Sequence, residues 1–348
     1  MKAVNVQVPG KIMLAGEYAV LHGAPCLSCA VDVRMNIQAQ KATAGYTVYS
    51  DFWDASWSLD AVPSAFQDNI LIQVLQWCRD NWQLPPFDIK VQSDFAVQDG
   101  LGSSTALRLG TLAALQNLFA LETIETDPWY LPRLVWQMQL KEQSFASGYD
   151  VITQFLGSWV EFQADEKNWP GKPQQIAFGH KPNEWIHIYR GGRGAPTKTV
   201  GSRTKDWLSE HKLWPDLLNI SNELVAIFRQ TLSAEQTELK ELLPALQQLQ
   251  NLFLPSPDYP LALHQSLAAL PGFQTLWTYK TSGAGGEDAI ILIGRQEDLS
   301  PAFQSLKNLG WSRLPYALGA ERLKITADSP HNFHTNQANV VNNGEPES

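Results

Sequence analysis

Gln98-Asp99-Gly100-Leu101-Gly102-Ser103-Ser104-Thr105-Ala106-Leu107-Arg108 is the stretch on which the fold turns. Two glycines and two serine hydroxyls open directly onto a run with apolar residues at 107, 109, 112, 115, 118 and 119, the spacing of a helix reaching to about Leu121. A phosphate group needs several N–H donors converging on it. Glycines let the backbone approach closely, and the first turn of a helix adds a partial positive charge. A serine hydroxyl at the start of such a helix can also reach a Mg²⁺ ion. By itself the segment reads equally as an ordinary helix with a serine cap.

The common alternatives fail on spacing. No GxxxxGK[ST] sequence occurs, so there is no Walker loop. Gly283-Ala284-Gly285-Gly286 carries Asp288 where the third glycine of a dinucleotide fingerprint belongs. Protein-kinase signatures are absent as well.

Composition narrows the class. The 348 residues suffice for two ordinary domains, and 44% hydrophobic with 18% charged residues is the balance of a soluble chain with a real core. A net charge of −9 argues against a sequence-independent nucleic-acid binder, and no apolar run approaches the ~18 residues of a membrane span. The start of the chain lacks the charged-then-apolar pattern of a signal peptide. Three cysteines, Cys26, Cys29 and Cys78, make no disulfide framework, so a cytoplasmic location is expected. Cys26-Leu27-Ser28-Cys29 has no second ligand pair and reads as part of a buried strand.

Outward from the glycine stretch, the pattern predicts strands over 2–8, 26–39 and 87–92, a hairpin over 46–59, and a loop from Lys11 leading to a second element. Helices are predicted over 69–81, 103–121 and 129–144, with a further element over 151–162 after a Gly-Tyr-Asp turn. A strand at 185–189 precedes a glycine-rich turn, residues 208–254 are helical in pattern, and a strand at 289–294 and a helix at 299–309 follow. Strands come first and helices dominate later, which points to α+β in two lobes. The division is set at 1–180 and 181–327, with 328–348 as a polar, disordered tail.

Three separated segments share one order. Pro9-Gly10-Lys11-Ile12-Met13-Leu14-Ala15-Gly16-Glu17-Tyr18-Ala19-Val20-Leu21 comes first, Gly100-Leu101-Gly102-Ser103-Ser104 second, and Lys280-Thr281-Ser282-Gly283-Ala284-Gly285-Gly286 third; Ser147-Gly148-Tyr149-Asp150-Val151 lies between the last two. Together they resemble the motifs of the GHMP kinase superfamily, in its mevalonate branch. The match spans residues 9 to 286. Two positions depart from the pattern: Thr105 stands where the family usually has Ala, and Glu287 places a carboxylate beside the third loop.

The resemblance implies a ribosomal-protein-S5-like N-terminal lobe and a ferredoxin-like C-terminal lobe, with ATP and a small-molecule acceptor in the cleft between them. It implies Gly100, Leu101, Gly102, Ser103 and Ser104 as the ATP phosphate loop. Lys11 would be the cation beside the transferring phosphoryl group, and Asp150 the base or orienter of the acceptor, paired with Lys11. Ser104 and Glu142 are the candidate Mg²⁺ ligands. Glu17, Tyr18, Ser282, Gly283, Ala284 and Gly285 would meet the acceptor. A phosphorylated acceptor needs extra cations, and Arg190, Arg193 and Lys198 on the glycine turn offer them. That turn and the Ser-Gly-Ala-Gly-Gly-x-Asp pattern at 282–288 favour 5-phosphomevalonate. Mevalonate, another small alcohol, and a non-catalytic metabolite-binding protein are the alternatives, and a homodimer is left open.

Overall fold

In the computed structural model, residues 3–328 are described, except 52–54, 122–126, 144, 172, 179–181, 192–196, 235–237, 284 and 286–288. The chain opens with β1 (Ala3–Ala15), β2 (Pro25–Lys41), β3 (Tyr46–Ser50), β4 (Ala55–Ser58), α1 (Ile70–Trp82), β5 (Phe87–Ser93) and α2 (Ser103–Phe119). It continues through α3 (Tyr130–Gln143), α4 (Tyr149–Leu156), β6 (Trp159–Gln163), β7 (Gln174–Ile176) and β8 (Ile186–Arg190). Then come α5 (Thr197–Glu210), α6 (Trp214–Ser233), α7 (Leu242–Phe253), α8 (Leu261–Ala268), β9 (Trp277–Thr281), β10 (Ala289–Gly294), α9 (Ser300–Asn308), β11 (Ser312–Leu314) and β12 (Lys324–Asp328).

The strands form two sheets. The larger has the order β12-β1-β2-β5-β3-β4, with β6 pairing the first part of β2 and β7 pairing β6. The smaller is β11-β8-β10-β9. The last strand returns to the first sheet, where Lys324 to Asp328 run antiparallel to Gln7 to Ala3. In β2, Val33, Met35, Ile37 and Ala39 are buried while Arg34, Asn36, Gln38 and Gln40 are half-buried, the period of two expected of a strand with one core face. The centre of the smaller sheet also alternates: Ile291 and Ile293 join the main core, and Ile290 and Leu292 join a second cluster with Leu263, Leu267, Ala302 and Leu306 of α8 and α9.

α2 lies on β1 and β2 and is buried on nearly every side. It comes this close because position 110 is glycine; a Cβ there would collide with Ile37 Cδ1 and stand 2.9 Å from Val8 Cγ2. α1 starts where Asn69 Oδ1 accepts the Leu71 N–H at 2.9 Å, an N-cap that fixes its first turn. α6 packs on the first sheet and on α7, and α7 packs on β9, so these two helices join the sheets. Among the described residues no helix is long and apolar enough to cross a membrane.

Candidate active site

Lys11 sits inside a strand, not in the loop its Pro9-Gly10 surroundings suggested. β12 covers β1 only as far as Gln7, while pairing with β2 carries the strand on to Ala15. Beyond β12 the glycine loop takes over: the Lys11 N–H donates to the Leu101 carbonyl at 2.9 Å, and Lys11 Nζ donates to the Gly100 carbonyl at 3.1 Å. Gly102 has φ of 81°, and a Cβ on it would lie 3.0 Å from Lys11 Cε and Cγ and 3.1 Å from Gln154 Nε2. Glycine is therefore required there both for the left-handed backbone and for the passage of the lysine stem. Ser103 then begins α2, whose first turn presents N–H groups toward the loop mouth.

Asp150 is the second residue of α4, a helix where the sequence suggested a turn. Its Oδ2 accepts hydrogen bonds from Thr105 Oγ1 and, at 2.9 Å, from Gln139 Nε2, which also donates to Thr105 Oγ1 at 2.8 Å. The threonine that departs from the family pattern thus holds the carboxylate. Lys11 Nζ stands 5.4 Å from the centroid of the Tyr149 ring, a cation–π distance. Burial, reinforced by the Asp150 charge, raises the Tyr149 phenol well above its ordinary pKa, so it stays neutral.

Arg108, unassigned by the sequence reading, occupies the ground between the two candidate metal ligands. Its guanidinium donates to Ser104 Oγ through one nitrogen and to Glu142 Oε2 through another. Arg108 is only 3% exposed, whereas Glu142 on α3 is 42% exposed at its side chain. Burial lowers the Arg108 pKa, against the opposing pull of Glu142 and Asp150. Ser104 and Glu142 do not fit a metal ion in this arrangement, because a guanidinium already bridges them. Among the described residues no group of three or more His, Cys, Asp or Glu is placed to hold one. The signal in the sequence was a cation one helical turn after Ser104, the single charged residue in the helix over 103–119.

Arg190 pairs with the segment that leads into the glycine loop. From the end of β8 it donates to Asp99 Oδ1 at 2.9 Å, and the other oxygen of this buried carboxylate accepts the Ala96 N–H at 2.8 Å. The Asp99 hydrogen bond raises the Arg190 pKa. Arg190 thus braces the approach to the glycine loop. Arg193 lies outside the described residues, and of Lys198 only the backbone is described, in the first turn of α5.

The third segment reaches the first through Lys280. Its Nζ forms a buried ion pair with Glu17 and donates to the Met13 carbonyl at 3.0 Å and the Thr281 carbonyl at 2.7 Å. The Met13 N–H donates to Ser282 Oγ at 3.4 Å. A Cβ on Gly283 would lie 3.9 Å from Lys11 Nζ and 3.6 Å from the Tyr149 hydroxyl, so both glycine loops flank the same lysine. Beside them opens a cleft, partly open to solvent, lined by Glu17, Tyr18, Thr204, Tyr259, Lys280 and Gly283 among others, with Gly285 at its edge. Burial pushes the Tyr18 hydroxyl up to about 12, keeping it a neutral donor. Ala284 and Glu287 lie outside the described residues. The structure thus gathers Lys11, the 100–104 loop, Glu17, Tyr18, Asp150, Ser282, Gly283 and Gly285, and holds Arg190 on Asp99.

Residues 69–158 match the family described as "GHMP kinases N terminal domain". The mevalonate kinase of Thermococcus sibiricus is 24% identical over 247 residues, 67% of this chain and 71% of that protein. The mevalonate kinase of Pyrococcus horikoshii is 23% identical over 266 residues, 72% and 76% of the two chains. Among solved structures, Streptococcus pneumoniae phosphomevalonate kinase in complex with phosphomevalonate and AMPPNP superposes with a TM-score of 0.71 at 21% identity, covering 91% of this chain and all of that one. Methanococcus jannaschii mevalonate kinase gives 0.66 at 16% identity, covering 90% and 98%. Residues 69–158 thus match a GHMP kinase N-terminal domain, and the chain shares the fold of these solved kinase structures over about nine-tenths of its length.

Proposed function

We propose that this chain transfers the terminal phosphoryl group of ATP to 5-phosphomevalonate. The observation that carries this reading is the convergence on Lys11: the Gly100 carbonyl meets its Nζ, Gly102 passes its stem, and Gly283 and Tyr149 close the other side. Phosphoryl transfer is mostly positioning and charge stabilisation, and a buried lysine between two glycine loops supplies both. The ATP phosphates take the N–H groups of the 100–104 loop and the first turn of α2. Lys11 faces the transferring group, and Asp150, fixed by Thr105 and Gln139, orients the acceptor oxygen.

The acceptor is argued from charge at the cleft. α5 begins at Thr197, carries Lys198 in its first turn, and brings Thr204 into the cleft wall. Arg203, beside Thr204, forms an ion pair with Asp258, another wall residue. The sequence puts Arg193 on the segment leading into this helix and Lys198 in its first turn, and such cations suit an acceptor that already carries a phosphate. The likeness to a phosphomevalonate kinase structure supports the same choice. Mevalonate is the second reading, favoured by the mostly apolar lining and by the mevalonate kinases among the relatives.

The test is ADP release with each acceptor, comparing the protein with Asp150→Ala. The expected result is a kcat/KM at least about tenfold higher for 5-phosphomevalonate than for mevalonate, lost in the variant. A preference for mevalonate would establish the second reading. No stimulation by either acceptor would end both.

A further inference from the structure

The two side chains best placed to offer oxygens to a metal ion beside the phosphate loop, Ser104 and Glu142, are held by one buried guanidinium. We infer that Arg108 is the resident cation of this site. It takes the place of a protein-held metal ion, so that any divalent ion enters bound to the nucleotide alone. The inference rests on reading residues 100–104 as the nucleotide loop.

Three observations carry it. First, the position is built: Arg108 follows Ser104 by one turn of α2, reaches its Oγ along the helix, and reaches Glu142 on α3 with a second nitrogen. The side chain is buried, so it cannot swing into solvent without repacking α2 against α3. Second, the charges balance. Glu142 and Asp150 both act on Arg108, and Lys11 stands beside Tyr149, the neighbour of Asp150 in the chain. Two carboxylates are therefore matched by two cations, leaving no surplus negative charge to draw in a divalent ion. Third, the chemistry suits phosphate: a planar guanidinium presents several donors, and the hydroxyl it holds lies in the first turn of α2, where the phosphate oxygens are expected.

Equilibrium binding of ATP, measured by calorimetry with excess EDTA and again with Mg²⁺, tests this without any acceptor. The protein is expected to bind metal-free ATP within about threefold of MgATP, and Arg108→Met to weaken metal-free ATP by about tenfold or more while changing MgATP less. Were Ser104 and Glu142 metal ligands instead, Arg108→Met would free them and tighten MgATP, which would overturn the inference. Because Arg108 is buried and its loss could disturb folding, Glu142→Gln at an exposed position is the second arm. Unchanged or tighter ATP binding in both conditions is expected; a selective loss of MgATP affinity of about tenfold makes Glu142 a metal ligand and sinks the proposal. Binding that is unaltered by Arg108→Met in both conditions removes this inference alone. No ATP binding in either condition removes the nucleotide-loop reading and this inference with it.

Discussion

In the proposed reading the cleft has a nucleotide side at the 100–104 loop and an acceptor side at Glu17 and Lys280, and the two use their cations differently. On the nucleotide side, the cations hold partners along their own helix or on other elements: Arg108 with Ser104 and Glu142, and Arg190 with Asp99, around a loop whose glycines expose backbone donors. On the acceptor side, Lys280 has three acceptors, Glu17 and the Met13 and Thr281 carbonyls, which use all three of its protons. Two lysines standing close to Gly283 and its neighbours thus do different work. In the proposed reaction Lys11 faces the transferring group, whereas Lys280 fastens the third loop to the first. Burial does not separate these roles, since both lysines are buried; what distinguishes Lys280 is that its acceptors lie on the first and third segments it joins.

The largest effect expected from this contrast is on Lys280. Lys280→Met leaves the Glu17 carboxylate buried without its partner, and removing one member of a buried pair is expected to lower stability by about 3–5 kcal/mol. Denaturant unfolding measures it. Adding Glu17→Gln should restore part of the loss, because the uncompensated charge is gone. If Lys280→Met instead kept full stability and lost only acceptor affinity, Lys280 would be a binding residue and the contrast would collapse.

Lys11→Met should do the reverse. Turnover is expected to fall about 10²- to 10³-fold, the scale for removing a preorganised charge at the reacting group, while the unfolding midpoint moves little. A large stability loss with ordinary turnover in the folded fraction would make Lys11 a second fastener.

Which parts of this contrast could be read before folding follows from how local each signal is. α1 and α2 were legible because the periodicity of each, and the Gly-Ser start of α2, lie within a few residues. Lys11 was misplaced in a loop because β1 is prolonged by pairing with residues of β2 about twenty positions on, and by the Leu101 carbonyl ninety positions away. The first turns of α5 were missed because this helix carries few apolar residues before Trp207 and is packed through Gly201 on Phe145. Arg190 was read as a cation for the acceptor, and its pairing with Asp99 was not foreseen because Asp99 lies 91 residues earlier. Motif order singled out Lys11, Asp150 and both glycine loops, which the structure brings close together. The side chains that hold them, Arg108, Thr105, Gln139 and Lys280, are set by contacts between elements, which spacing along the chain does not encode.

The smallest expected effect probes that supporting layer on the nucleotide side. Thr105 is buried, and its hydroxyl both donates to Asp150 and accepts from Gln139. Thr105→Val keeps the volume and removes the hydroxyl. Asp150 retains the Gln139 hydrogen bond, so it is held less firmly but not released. The loss of one such bond is worth about 1 kcal/mol, or roughly a fivefold fall in kcat, with KM for ATP unchanged. Thr105→Ser, which restores the hydroxyl, should recover most of the rate. If both variants lost the same activity, volume rather than the hydroxyl would matter at this position. Were KM to rise with kcat intact, Thr105 would act on the phosphate loop through α2. Only a fall in kcat that serine rescues makes the threonine a positioning residue for the carboxylate. That outcome would place the one side chain by which α2 departs from its family pattern among the parts that orient the acceptor.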